Sequence, residues 1–158
     1  MPTEMDAKTI VFRDLVAQLS SGLRLLPDKP EETPDSTLRA LWHAAAEAPV
    51  SVQKAGALPL PALDAAGVER LQVLIAQRIE GIPLAHLTGR QQFMGLELLA
   101  GKEALIPRRE TELLGRGSLA ILQHLATERD EVTVVDVCTG SGNLALALAF
   151  RVPTARVF

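Results

Sequence analysis

The sequence predicts an α/β chain in three stretches. Residues 1 to about 80 read as a helical bundle, 81–117 as a glycine-rich linker with a hairpin or two short strands, and Glu131 to Phe150 as a buried strand, a glycine turn and a helix. Three observations carry this. Apolar residues recur at helical spacing through the first eighty positions. Six of the eleven glycines crowd into residues 81–117. A β-branched run, a glycine turn and a string of strong helix formers follow one another from Glu131 to Phe150.

In the first stretch Ile10, Val11, Leu15, Val16 and Leu19 mark a helix that runs on toward Leu26. Pro27, Pro30 and Pro34 then break the chain. A second helix, capped by Asp35 or Ser36, carries Leu38, Leu41, Trp42 and Ala45 and stops before Pro49. A lone tryptophan on an apolar helical face is expected in the core rather than in a binding site. Leu58–Pro61 is a connection, after which Asp64 caps a helix bearing Val68, Leu71, Leu74, Ile75 and Ile79, with Gly81 as its C-terminal glycine.

In the second stretch the apolar pieces Leu84–Leu87 and Phe93–Leu99, set between glycines, read as a hairpin or two short strands. The turn Leu105-Ile106-Pro107-Arg108-Arg109-Glu110-Thr111-Glu112 leads into a helix whose apolar face is Leu113, Leu114, Leu119, Ile121, Leu122 and Leu125. Thr111 or Glu110 is its expected cap.

The chemistry concentrates in the third stretch. Val132, Val134, Val135 and Val137 predict a strand covered on both faces, with Asp136 near its end. Cys138-Thr139-Gly140-Ser141-Gly142 turns the chain, and Leu144–Ala149 continue as a helix. Glycines let a ligand approach the backbone, and the start of a helix directs unpaired N–H groups and a positive dipole end at it. An anionic group on a cofactor suits such a loop. Asp136 adds a negative charge for a cationic or hydroxyl-rich part of the same molecule. Gly140-x-Gly142-x-x-Ala145 also matches the dinucleotide fingerprint, so the loop alone does not separate a nicotinamide from S-adenosylmethionine.

Composition narrows the classes. The net charge is −3 and no basic run exists, which argues against direct nucleic-acid binding. No apolar stretch reaches the length of a membrane span, and Glu4 and Asp6 stand where a secretory signal would be basic. The single cysteine excludes an internal disulfide and fits a reducing cytoplasm. His43, His86, His124 and Cys138 lack metal-ligand spacing, so no metal is expected, and nothing brings Cys138 to a histidine as a nucleophile pair.

Several segments occur together in one order: Gly81-Ile82-Pro83-Leu84-Ala85-His86-Leu87-Thr88-Gly89, Gln92-Phe93-Met94-Gly95, Leu105-Ile106-Pro107-Arg108 with Thr111-Glu112, and Asp136-x-x-Thr139-Gly140-Ser141-Gly142. From about Leu60 to Phe158 the chain thereby resembles the HemK/PrmC family, S-adenosylmethionine-dependent methyltransferases of release-factor glutamine. The resemblance implies a helical domain over residues 1–80 that grips the protein substrate, a β-hairpin linker over 81–106, and over 107–158 the start of an incomplete Rossmann-like class I methyltransferase domain. It implies a cofactor loop of Asp136, Cys138, Thr139, Gly140, Ser141 and Gly142, with Phe93, Arg108, Thr111 and Glu112 shaping or contacting the pocket. Two residues depart from the pattern: Arg109 replaces a proline, and Cys138 replaces the first loop glycine. The family's Asn-Pro-Pro-Tyr motif and the ribose-binding acid after the second strand do not occur within the 158 residues. The chain is therefore expected to be a member cut before that motif, with no catalytic residue of its own and little activity alone.

Two other functions compete. One is a nicotinamide-dependent oxidoreductase, which would need an acidic residue about 20 positions past the loop. The other is a non-catalytic helical interaction protein with a truncated cofactor domain. An exposed half-sheet edge invites pairing with another copy, so the chain is expected to self-associate through the Val132–Val137 strand or the last strand.

Overall fold

A computed structural model of the chain describes residues 4–158, with side chains from residue 9; the charges of Glu4 and Asp6 lie outside the described side chains. Eleven elements follow in order: α1 (Glu4–Gly22), α2 (Pro34–Ala45), α3 (Val52–Ala57), α4 (Ala65–Ile79), α5 (Leu84–Thr88), β1 (Arg90–Phe93), β2 (Leu96–Leu99), α6 (Arg109–Glu128), β3 (Thr133–Val134), α7 (Asn143–Arg151) and β4 (Arg156–Val157). They form two compact units that divide between Gln91 and Gln92. The architecture is α/β: helices, a hairpin, then a β–α–β arrangement of Rossmann-like type.

In the first unit, Leu19, Leu38, Leu41, Trp42, Leu71 and Ile75 are the heart of one core. The packed stripe of α1 is Phe12, Leu15, Val16 and Leu19, at i, i+3, i+4 and i+7, whereas Ile10 and Val11 face solvent. The Phe12 ring lies 6.0 Å from that of Trp42, tilted by 46°, and the Arg39 guanidinium sits 5.3 Å from the Phe12 centroid. Trp42 is core, as expected, and its indole N–H donates to the Pro61 carbonyl at 3.0 Å.

α1 stops at Gly22 rather than near Leu26. A Cβ at Gly22 would stand 2.9 Å from Ile79 Cγ2, so the helix ends where it meets the end of α4. The cap of α2 is Thr33, whose hydroxyl accepts from Ser36 N–H at 3.2 Å; Pro34 is the first helical residue, where its missing N–H costs nothing, and not a breaker. Asp64 caps α4 as expected, accepting from Gly67 N–H at 2.6 Å, and Gly81 follows that helix with φ +100°. Two helices, α3 and α5, are too short to show periodicity. α5 replaces the strand expected at Leu84–Leu87; Gly89, at φ +65°, ends it. Arg78 of α4 is buried and ion-paired to Glu32 at 2.8 Å, and its second nitrogen donates to the Ile82 carbonyl at 3.1 Å. His43 of α2 is buried as well, and burial first, Arg39 second, pushes its pKa below the ordinary 6.5.

β1 and β2 form a two-stranded sheet joined by Met94 and Gly95, with φ +49° and +81°. Positive φ at both central residues is what a two-residue hairpin turn of type I′ requires. α6 starts at Arg109 without a side-chain cap; Glu110 and Glu112 lie in its first turn, favourably placed at the positive end of the dipole. Its buried face is Gly115 and Leu122, while Leu113, Leu114 and Ile121 are exposed. β3 and β4 pair in parallel, Thr133 opposite Arg156 and Val134 opposite Val157. β3 is shorter than expected and not covered on both faces: Val135 and Val137 are 65% and 79% exposed. A parallel strand is buried by neighbours on two edges and helices on two faces, and the described residues supply β3 with one partner, β4. Leu122, Leu148 and Val152 centre the second core, against which Val132, Val134 and Val157 pack. Among the described residues no helix is long and apolar enough to cross a membrane.

Candidate functional site

The loop that carries the expected chemistry lies between β3 and α7. At its start the Asp136 N–H donates to the Phe158 carbonyl at 2.7 Å, which extends the parallel ladder by one bond. The Asp136 carboxylate accepts from the Thr139 hydroxyl at 2.7 Å. These bonds brace the turn from inside. Cys138, Gly140 and Gly142 all have left-handed backbone, at φ +63°, +58° and +77°. Gly142 N–H donates to the Thr139 carbonyl at 3.0 Å, and Leu146 N–H to the Gly142 carbonyl at 2.8 Å, which starts α7.

Two features decide what the loop can hold. A Cβ built on Gly140 meets nothing within 4 Å, so glycine is needed there for its backbone conformation, and the space beside the main chain is open to a ligand. Gly142 is the N-cap of α7 and supplies no side-chain cap. The first-turn N–H groups of Leu144 and Ala145 have no helical acceptor and face the loop end of the helix. Val137–Ser141 are exposed and Asp136 is half-buried. The residues present therefore fit an anionic group at the helix start with a cationic or hydroxylated group toward Asp136.

Cys138 is an exposed free thiol held in backbone that favours glycine. A non-glycine residue there costs about 1–2 kcal/mol, whereas glycine costs about 0.5–1 kcal/mol more chain entropy on folding than alanine. Cys138→Gly is expected to leave stability unchanged or raise it by up to about 1 kcal/mol. Cys138→Val, a β-branched residue in left-handed backbone, is expected to lower it by about 1–3 kcal/mol. Urea unfolding of the two variants checks both signs.

The remaining candidates lie on other elements. Phe93, at the end of β1, is 1% exposed. Arg108 precedes α6 and is exposed; Thr111, half-buried, donates its N–H to the Arg108 carbonyl at 3.0 Å. Glu112 has both carboxylate oxygens engaged: one accepts from Met94 N–H at 3.0 Å, the other from Arg116 at 3.0 Å. The structure thus joins Asp136 to Thr139, and Glu112 to the hairpin turn. His124 lies 3.6 Å from Glu128 on the exposed side of α6. Among the described residues no group of three or more His, Cys, Asp or Glu could hold a metal.

Sequence reasoning missed the convergence at the hairpin turn. The Met94 carbonyl accepts from Arg151 of α7 at 2.8 Å. A Cβ at Gly115 would collide with Met94 Sδ and stand 3.3 Å from Leu144 Cδ1, so hairpin turn, α6 and α7 close over this glycine. The available signal was a glycine inside a helical pattern, which marks close approach.

No family model matches the chain. Curated relatives do. The release factor glutamine methyltransferase of Xylella fastidiosa is 44% identical over 95 residues, 60% of this chain and 33% of that protein. The protein of the same name from Burkholderia pseudomallei is 43% identical over 96 residues, 61% of this chain and 32% of its own. That of Mycolicibacterium smegmatis is 50% identical over 84 residues, 53% of this chain and 28% of its own. The chain spans about one third of the length of these relatives. All three relatives carry the name release factor glutamine methyltransferase, the kind of protein that the order and spacing of the chain's own segments resemble.

Proposed function

We propose that these residues carry the cofactor loop of an S-adenosylmethionine-dependent methyltransferase that acts on the glutamine side-chain amide of a peptide chain release factor. The supporting observation is the open, uncapped junction at Gly140–Gly142, within a chain homologous to methyltransferases of that name. S-adenosylmethionine, when bound, supplies an activated methyl group on a sulfonium. The chain's own residues then have separate tasks. The backbone of Gly140–Gly142 and the first turn of α7 hold the carboxylate of the methionyl part. Asp136, fixed by Thr139, places a negative charge near the cationic part. Cys138 and Ser141 form the rim of the loop. Phe93, Arg108, Thr111 and Glu112 shape the pocket wall, directly or through the hairpin.

The helical unit is assigned to gripping the protein substrate, without direct contact to nucleic acid or membrane, in the cytoplasm where release factors work. Holding the amide nitrogen and its developing charge falls to the Asn-Pro-Pro-Tyr segment of the family, which these 158 residues do not contain. The isolated 158-residue chain is accordingly expected to bind cofactor without transferring methyl groups at an enzymatic rate.

Titration calorimetry of the chain with S-adenosylhomocysteine tests the proposal. Binding is expected for the wild type and a loss of about tenfold or more for Gly140→Val, because the branched side chain strains φ and fills the approach to the backbone. Binding of a nicotinamide dinucleotide, with none of S-adenosylhomocysteine, would move the assignment to an oxidoreductase. We further propose that the chain by itself self-associates through the open edges of the β3–β4 sheet. Sedimentation should show a mass that rises with concentration, and a monomer at every concentration would refute this.

A further inference from the structure

Glu112 and Arg151 reach the same hairpin turn from two helices. Glu112, in the first turn of α6, accepts the Met94 N–H at 3.0 Å. Arg151, in the last turn of α7, donates to the Met94 carbonyl at 2.8 Å. Both main-chain groups of one residue are therefore held by charged side chains of opposite sign. A Cβ at Gly95 would stand 3.1 Å from the Arg151 guanidinium, so the glycine also makes room for it. Between the two anchors the Met94 thioether lies over Gly115, and Leu144 Cδ1 approaches the same glycine, 3.3 Å from where its Cβ would stand. Leu144 belongs to the first turn of α7 and follows Gly142 by two residues. The turn is thus tied to the end of α7 by the Arg151 hydrogen bond, and it shares with Leu144, near the start of α7, the space over Gly115.

We propose that Glu112 and Arg151 are positioning residues that clip the Met94–Gly95 turn onto α6 and α7 and thereby hold the start of α7, and the glycine loop before it, in the geometry that binds the cofactor. This rests on the assignment of the loop to S-adenosylmethionine. It gives Glu112 a role through the hairpin rather than through the ligand, and it brings in Arg151, whose α-carbon lies about 12 Å along the helix from that of Asn143. An effect of Arg151 on the loop travels through the clip.

The experiment uses the 158-residue chain and the variants Glu112→Ala, Glu112→Gln and Arg151→Met. Two quantities are read: S-adenosylhomocysteine affinity, and amide hydrogen exchange of Leu146, Ala147 and Leu122 without ligand. Losing a hydrogen bond to a charged group is expected to weaken binding about tenfold in Glu112→Ala and Arg151→Met. Exchange at Leu146 and Ala147, the start of α7, should accelerate by a similar factor while Leu122 in mid-α6 keeps its rate. Glu112→Gln keeps an oxygen for the Met94 N–H and should stay near wild type in both. Gln as damaging as Ala would mean that the carboxylate charge acts on the ligand itself, and would overturn the clip. So would unchanged affinity and exchange in Glu112→Ala and Arg151→Met, or acceleration at Leu122 equal to that at Leu146. If the wild type binds no S-adenosylhomocysteine the cofactor assignment fails, and the exchange rates at Leu146 and Ala147 still decide whether the clip exists.

Discussion

Glu32→Ala is expected to destabilise the helical unit by about 3–5 kcal/mol, the largest effect of any single substitution considered for this chain. The Glu32 carboxylate is 2.8 Å from the Arg78 guanidinium, and the two side chains are 13% and 5% exposed. Removing Glu32 leaves a cation that cannot shed its proton in a place water scarcely reaches. The reverse change is milder. In Arg78→Met the orphaned Glu32 takes up a proton, and the methionine fills much of the arginine's volume. The double variant Glu32→Leu with Arg78→Met is expected to recover most of the loss, since an apolar pair carries no desolvation cost. Thermal or urea unfolding of the three variants checks the order: Glu32→Ala weakest, Arg78→Met intermediate, the double variant nearest to wild type.

The same pair sets one part of the pH profile. Burial raises the Glu32 pKa above its ordinary 4.5, and Arg78 opposes this without cancelling it. A raised carboxyl contributes stability that is fully present below pH 4.5 and is lost as pH rises through the folded value. His43 acts in the opposite sense. Its lowered pKa contributes stability present above pH 6.5 and lost as pH falls through the folded value. Glu32→Gln should therefore lose ground to wild type as pH falls toward 4.5 and below, and His43→Gln should gain on wild type as pH falls below 6.5.

Gly115→Val is expected to cost about 1–3 kcal/mol by overpacking, and Gly117→Ala, two residues on in the same helix, to gain up to about 1 kcal/mol. Helix propensity alone makes both glycines weak points. The surroundings separate them. At Gly117 a Cβ meets nothing within 4 Å, so only the propensity gain remains. At Gly115 it collides with Met94 Sδ and presses on Leu144 Cδ1 at 3.3 Å. The methionine can swing aside for alanine, so Gly115→Ala should gain less than Gly117→Ala. Valine demands more room than a rotamer change of Met94 provides, and pushes the hairpin turn off α6. Unfolding midpoints of the three variants give the sign, and exchange of the Met94 N–H shows whether the turn has moved.

Local chemistry was legible where one residue governs one bond. Asp64 as a cap, Gly81 as a helix terminator, Trp42 as core and the strand–glycine loop–helix order all follow from the sequence and stand in the structure. The errors share a cause. Thr33 rather than Asp35 or Ser36 caps α2 because Pro34 serves as a first helical residue as readily as it breaks a chain. α5 took the place of a strand because five residues between glycines, three of them apolar, are too few to show a period. Phe12 replaced Ile10 and Val11 on the packed face of α1 because neighbouring apolar residues leave the centre of a helical stripe undefined until the partner helix is placed.

The sequence by itself determined the order of helical stretch, hairpin and glycine loop, because each depends on neighbours along the chain. Only the tertiary structure decided that Arg78 would be buried against Glu32, that β3 would be paired on one edge with Val135 and Val137 left exposed, and that Met94, Glu112, Gly115, Leu144 and Arg151 would meet. Those pairings join residues 18 to 57 positions apart, and nothing in local propensity or periodicity encodes which distant side chain will fill the space left by a missing Cβ.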